Sequence, residues 1–165
     1  AASMGALRAA ELAPHMQGVG LICRWYRRYP LTPDDAVAVL HGPAELNFAP
    51  VTDALVDLRM TFRNALRKGA ITAATYRALD ETARRLNFRD RTIDRVVSEA
   101  LPDGARGAAR AALASSWVQQ KRRDALEALA ALRKGHYAPP PRLADLPVTR
   151  VFAAELESAS WPLPR

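Results

Sequence analysis

Between residues 52 and 101 the apolar positions recur every three to four residues. Leu55, Leu58, Phe62 and Leu66 fall on one face, Tyr76, Leu79, Ala83 and Leu86 on a second, and Ile93, Val96, Val97 and Leu101 on a third. That period is the signature of amphipathic helices. Thr52, Thr72 and Thr92 stand ahead of the runs as N-caps, so the first helix is expected from Thr52 to Lys68, with Gly69 just past its end.

Upstream, Ser3 can cap a helix over residues 3–13, and a short one is expected over 21–28, after the interruption at Pro14, Gly18 and Gly20. Residues 36–40, AVAVL, form a short continuous apolar run between Thr32-Pro33-Asp34-Asp35 and Gly42-Pro43. Such a run reads as a buried parallel strand, followed by a loop over 41–50. Downstream, Pro102-Asp103-Gly104 is a turn, and a long helix is expected from about 105 to 134, ending at Gly135. Ala138-Pro139-Pro140-Pro141 reads as a stiff linker, with a short helix near 148–157. The expected class is α/β: a predominantly helical piece with a short parallel-sheet portion, one clear strand and about six helices. Residues 1–135 form the core and 136–165 a Pro-rich linker and C-terminal arm. A lone strand needs partners for its backbone groups, so the missing strands are expected upstream of Ala1. The absence of an initiator Met points the same way, to a fragment or processed form.

Composition narrows the class. Of 165 residues 49% are hydrophobic, too many for a disordered tail. The single cysteine, Cys23, excludes an internal disulfide and a Cys-based zinc site, in keeping with a reducing, cytoplasmic setting. No apolar run approaches the roughly 18 residues of a membrane span, and no charged n-region with an apolar h-region opens the chain as a signal peptide would. Lys and Arg number 24 against 17 Asp and Glu, a net +7, which favours an acidic partner. The basic residues cluster at Arg24/Arg27/Arg28, at Arg84/Arg85/Arg89/Arg91/Arg95 and at Lys121/Arg122/Arg123. Runs of this kind are more often solvated faces than binding patches. No aromatic residues interleave with the middle cluster, so nucleic acid is an unfavoured partner.

Ala1-x-Ser3-x-Gly5 running into a helix is a partial match to the G-x-S-x-G nucleophile elbow, with Ala in place of the first Gly. The plain alternative is that Ser3 is only a helix cap. If strands end at Ser3 and at Leu40, then Ser3 and His41 share one rim of a parallel sheet, where ligands of α/β sheets bind. His41, with Glu45 nearby, is then a candidate general base or orienting group, against a plain loop histidine. Arg8 and Glu11 make either a surface pair or, through Arg8, a carboxylate or thiocarboxylate anchor. Arg59, in an otherwise apolar helical stretch, is either a functional arginine or a snorkelling one. Cys23 sits beside Arg24 but among apolar neighbours and reads as a buried thiol. His15, His41 and His136 have no ligand spacing, so no metal or cofactor is expected. Trp25, Trp117 and Trp161 read as packing anchors.

The block Ala2-Ser3-Met4-Gly5-Ala6-Leu7-Arg8-Ala9-Ala10-Glu11-Leu12 resembles the TfuA-like core domain family. So do Asp34-Asp35-Ala36-Val37-Ala38-Val39-Leu40-His41-Gly42-Pro43, Leu55-Val56-Asp57-Leu58-Arg59 and Lys121-Arg122-Arg123-Asp124-Ala125, in the family's order and over roughly residues 1–132. The resemblance implies a strand-rich portion ahead of this one and a role beside YcaO enzymes in installing backbone thioamides in ribosomal peptides or proteins. YcaO activates the amide with ATP, and the TfuA-like partner is thought to supply sulfur by hydrolysing the thiocarboxylate of a ThiS-like carrier. Taken with the residue readings above, Ser3 (as nucleophile or as the group that orients a water), His41 and Glu45 are the expected catalytic residues. Arg8, Glu11 and Arg59 are the substrate-binding set, and Lys121, Arg122 and Arg123 the partner-binding set. A non-catalytic adaptor that docks on YcaO is the alternative, and a basic nucleic-acid-binding helical module a third.

Overall fold

The computed structural model describes residues 3–13, 16–29, 32–135 and 158. The expected linker at 138–141, the helix near 148–157, and His15, His136 and Trp161 lie outside the described residues.

The described residues form seven α-helices: α1 (Met4–Glu11), α2 (Leu21–Arg28), α3 (Leu55–Arg67), α4 (Ala73–Arg85), α5 (Ile93–Ala100), α6 (Asp103–Ala114) and α7 (Gln120–Arg133). Two short 3-10 turns, Asp34–Val37 and Ala44–Leu46, lie between α2 and α3. Helix α3 is the hub. Leu58, Phe62 and Ala65 pack with Leu79 and Ala83 of α4, Val96 and Val97 of α5, and Ala109 and Leu113 of α6. Val56 joins a second core made by Ala6, Leu7 and Ala9 of α1 and Ile22, Cys23 and Tyr26 of α2. Trp25 packs against both cores.

The α/β expectation is overturned: no β-strand occurs among the described residues, and their isolated bridge pairs His41 with Pro50. The AVAVL run begins as the 3-10 turn and continues extended without a neighbouring strand. Its apolar content is real, but Ala36 enters the first core and Val37 the second, so the run plugs the seam between them. Its backbone groups find partners in turns and remote side chains. Ala36 and Ala38 N–H donate to Pro33 and Asp35 carbonyls. The Val37 carbonyl accepts Lys121 Nζ at 2.9 Å, and Leu40 N–H donates to Thr52 Oγ1 at 2.7 Å. Several of the backbone groups of this run are thereby paired within the helical fold.

Two helix expectations also change. Thr52 spends its hydroxyl on Leu40, and α3 begins at Leu55 after Ala54. The long helix over 105–134 is two helices, broken between Ala114 and Gln120. Helix α3 holds the break open. Lys68 Nζ and Asn64 Nδ2 donate to the Ser115 and Ser116 carbonyls, each at 2.9 Å, and Thr61 Oγ1 accepts Val118 N–H at 3.0 Å. Asp57 Oδ1 then accepts Lys121 N–H at 3.0 Å, at the start of α7. Thr72 and Thr92 cap α4 and α5 as expected, accepting from Thr75 and Arg95 N–H.

Candidate functional site

The residues expected at a common rim do not form a unit. Ser3 precedes α1 and its hydroxyl makes no capping hydrogen bond. His41 is exposed, with Nδ1 2.7 Å from the Phe48 carbonyl. Glu45 is exposed on the second 3-10 turn. Among the described residues no hydrogen bond joins these three, and the sheet whose edge was to gather them is absent. Arg8 and Glu11 make an exposed pair at 2.6 Å.

Arg59 is the expected site residue that the fold places in a cleft. Its stretch of α3 faces α2, because Val56 and Leu58 on either side are buried in the two cores. The side chain is only 20% exposed, and Nε donates to Asp80 Oδ1 at 2.7 Å. Its guanidinium lies over the Trp25 ring, 5.2 Å from the centroid. Anchored on both sides, Arg59 presents fixed donors instead of snorkelling freely. Asp80 also meets Arg84 Nε at 3.3 Å.

Trp25 and Arg59 divide two connected depressions between α2 and α3. One, of about 260 Å³, has an apolar floor of Ile22, Trp25, Val56 and Met60, with Arg24, Arg28 and Arg63 at its rim. The other, of about 570 Å³, runs past Tyr29, Asp35, Arg63 and Arg84. The rim cations differ from most arginines of α4–α6 in their pairing. Arg85, Arg95, Arg106 and Arg110 on α4–α6 are paired with Glu99, Asp90, Asp103 and Asp94. Arg24, Arg28 and Arg63 have no ion pair among the described residues. An apolar trough with unpaired guanidinium groups on its rim suits a ligand with an apolar body and an anionic end.

Lys121, Arg122 and Arg123 divide. Lys121 is half-buried, gripped through its N–H by Asp57 and through Nζ by Val37. Burial holds its ammonium below the usual lysine value, with the Asp57 charge opposing. The same burial raises the Asp57 carboxyl, while the Lys121 N–H and charge hold it down. Arg122 and Arg123 are exposed. Among the described residues no group of three or more His, Cys, Asp and Glu gathers as a metal site, and no helix is long and apolar enough to cross a membrane.

The sequence reading missed the contribution of α2 and of Asp80 to this cleft. Arg24, Trp25 and Arg28 at i, i+1 and i+4 were legible as one side of a helix. That this side faces Arg59 was not. A family model described as TfuA-like protein matches residues 1–92, which include Trp25, Arg59, Arg63, Asp80 and Arg84. No curated protein matches the chain.

Proposed function

This chain belongs to the TfuA-like protein family, and on that footing we propose that it supplies sulfur for YcaO-dependent thioamidation by binding a ThiS-like carrier through the α2–α3 cleft. The family is associated with that modification and with YcaO partnership. The observation that carries the reading is the trough between Trp25 and Arg59, rimmed by the unpaired Arg24, Arg28 and Arg63. A ubiquitin-like carrier ends in a flexible tail with a terminal thiocarboxylate. The floor can take an extended tail and the guanidinium groups its terminal anion. In the hydrolysis, water oxygen bonds to the thiocarboxylate carbon, the carbon–sulfur bond breaks, and sulfur leaves as sulfide with the protons of water, giving a carboxylate. Arg59, held by Asp80 and Trp25, stabilises the oxyanion that forms at that carbon. In this reading Ser3 orients that water and His41 is the base that takes its proton, with Glu45 the third member of the set; Arg8 and Glu11 lie on the first helix after Ser3.

The test is sulfide release from a thiocarboxylated carrier by the full chain, measured with and without its YcaO enzyme. Arg63→Glu is expected to raise KM at least tenfold, and Arg59→Ala to lower kcat at least tenfold. Normal KM in the first and normal kcat in the second overturn the cleft assignment. Ser3→Ala or His41→Ala is expected to abolish release, and normal release in both removes them as catalytic residues. A second reading is favoured by the engagement of His41 with Phe48 and the lack of a Ser3–His41 bond: the chain is a non-catalytic adaptor that presents the carrier to YcaO. In that case carrier binding depends on Arg59 while sulfide release does not occur without a second protein.

A further inference from the structure

Helix α7 is used by the fold along its first half only. Gln120 and Asp124 are its buried residues. Residues 125–133, ALEALAALR, carry polar side chains only at Glu127 and Arg133. Yet Leu126, Leu129 and Leu132 are 51%, 62% and 61% exposed. A helix that is apolar around most of its circumference is the pattern of a buried element. Leucines at i, i+3 and i+6 make a stripe of the kind read in helix-to-helix recognition.

The charges around the stripe are mostly positive. Arg122 and Arg123 stand exposed at one end and Arg133 and Lys134 at the other, and none has an ion pair among the described residues. Glu127 is the exposed acid between them. We propose that this stripe is the docking site for an acidic amphipathic helix of a partner protein, whose apolar face covers the leucines and whose carboxylates meet the terminal cations. A second copy of the chain fits less well. Antiparallel pairing about Leu129 sets Leu126 against Leu132 but crowds Arg122 and Arg123 of one copy against Arg133 and Lys134 of the other. A lipid surface also fits less well, since residues 120–135 hold no aromatic anchor and the buried side of α7 is its polar one. The surface lies outside residues 1–92, so it stands or falls apart from the cleft reading.

The experiment uses the full chain and a labelled synthetic helical peptide with a leucine–alanine face and glutamate flanks, followed by fluorescence anisotropy. Saturable binding is expected, weakened at least tenfold by Leu129→Asp and by Arg122→Glu with Arg123→Glu, and weakened by added salt. Because Leu129 is exposed, the urea midpoint of its variant stays at the wild-type value. A photocrosslinker placed at position 129 is expected to capture the peptide. Absence of binding overturns the proposal. So does equal binding of a lysine-flanked peptide, dimerisation lost in Leu129→Asp, partitioning into phosphatidylserine vesicles in place of peptide binding, or capture of the chain's own residues 136–165.

Discussion

The carboxylate of Asp124 accepts the backbone N–H of Ile22 at 2.7 Å, so a residue on α7 caps the first turn of α2 from 102 positions away. Helix α2 has no cap of its own, because Gly20 precedes it. Asp124 is fully buried, and its other oxygen accepts Gln120 Nε2 at 2.7 Å. Gly20 is required twice: its φ is +93°, and a Cβ there would sit 2.4 Å from Asp124 Cγ. Removing the carboxylate orphans two buried donors. Asp124→Ala is expected to cost about 2–4 kcal/mol, and Asp124→Asn, which keeps one acceptor, less. Gly20→Ala should cost at least as much as the asparagine. Urea unfolding of the three variants checks the order.

Arg91 makes a comparable lock elsewhere. Its side chain is 1% exposed. It donates to the Ala83 and Leu86 carbonyls at the end of α4, at 2.9 and 2.7 Å, and to the backbone and carboxylate of Asp35, at 3.2 and 2.7 Å. Losing it strips several acceptors at once, so Arg91→Met is expected to cost about 3–5 kcal/mol. Arg91→Lys should recover little, because an ammonium cannot reproduce the planar fork. Thermal unfolding of the pair decides; full recovery by lysine would show that charge alone matters.

These locks explain what was legible in the sequence. Helices α3 to α5 announce themselves by period and, for α4 and α5, by threonine caps that act locally. The AVAVL run misled because a short apolar stretch has no period to read. Its state is set by Arg91, Thr52 and Lys121, which lie 12 to 84 positions from the groups they satisfy. The same holds for the break before α7. The signal was present in α3 as Asp57, Thr61, Asn64 and Lys68, polar positions spaced for one helix face, but the segment they grip is invisible without the fold. In the candidate site, Arg59 was legible as an arginine in an apolar stretch. Its partners Trp25 and Asp80 come from helices that local pattern does not connect.

On the proposed reading of the cleft, Trp25 and Arg63 separate the two halves of carrier recognition. Trp25→Leu removes the flat partner of Arg59 and part of the floor, and is expected to weaken carrier binding about fivefold with little salt dependence. Arg63→Glu removes a rim cation and is expected to weaken it at least tenfold in low salt, with the difference shrinking as salt rises. Calorimetric titration of each variant with carrier at low and high salt reads both. Identical salt profiles would mean that the rim does not steer the tail.

Tyr26 gives the fold an alkaline limit. Its ring is 3% exposed and its hydroxyl donates to the Pro33 carbonyl at 3.2 Å. Burial, with the charges of Asp34 and Asp35, pushes its pKa up to about 12. In the unfolded chain a tyrosine ionises near 10. Below pH 10 both states hold the proton, and the hydroxyl's contribution is intact. Between 10 and 12 the unfolded state releases its proton while the native state keeps it, so stability falls as pH rises. The loss is on the order of 2 kcal/mol by pH 12. Lys121, held below the usual lysine value, shifts stability the opposite way with rising pH, so the reading must be a difference in which it cancels. Tyr26→Phe, which lacks the Pro33 bond, should be about 1 kcal/mol less stable than wild type at pH 8. The gap should close and reverse above pH 11, because phenylalanine has no proton to lose. Urea midpoints of the two proteins at pH 8 and pH 11 check it, and a gap that stays constant would mean that Tyr26 ionises as freely in the fold as in the unfolded chain.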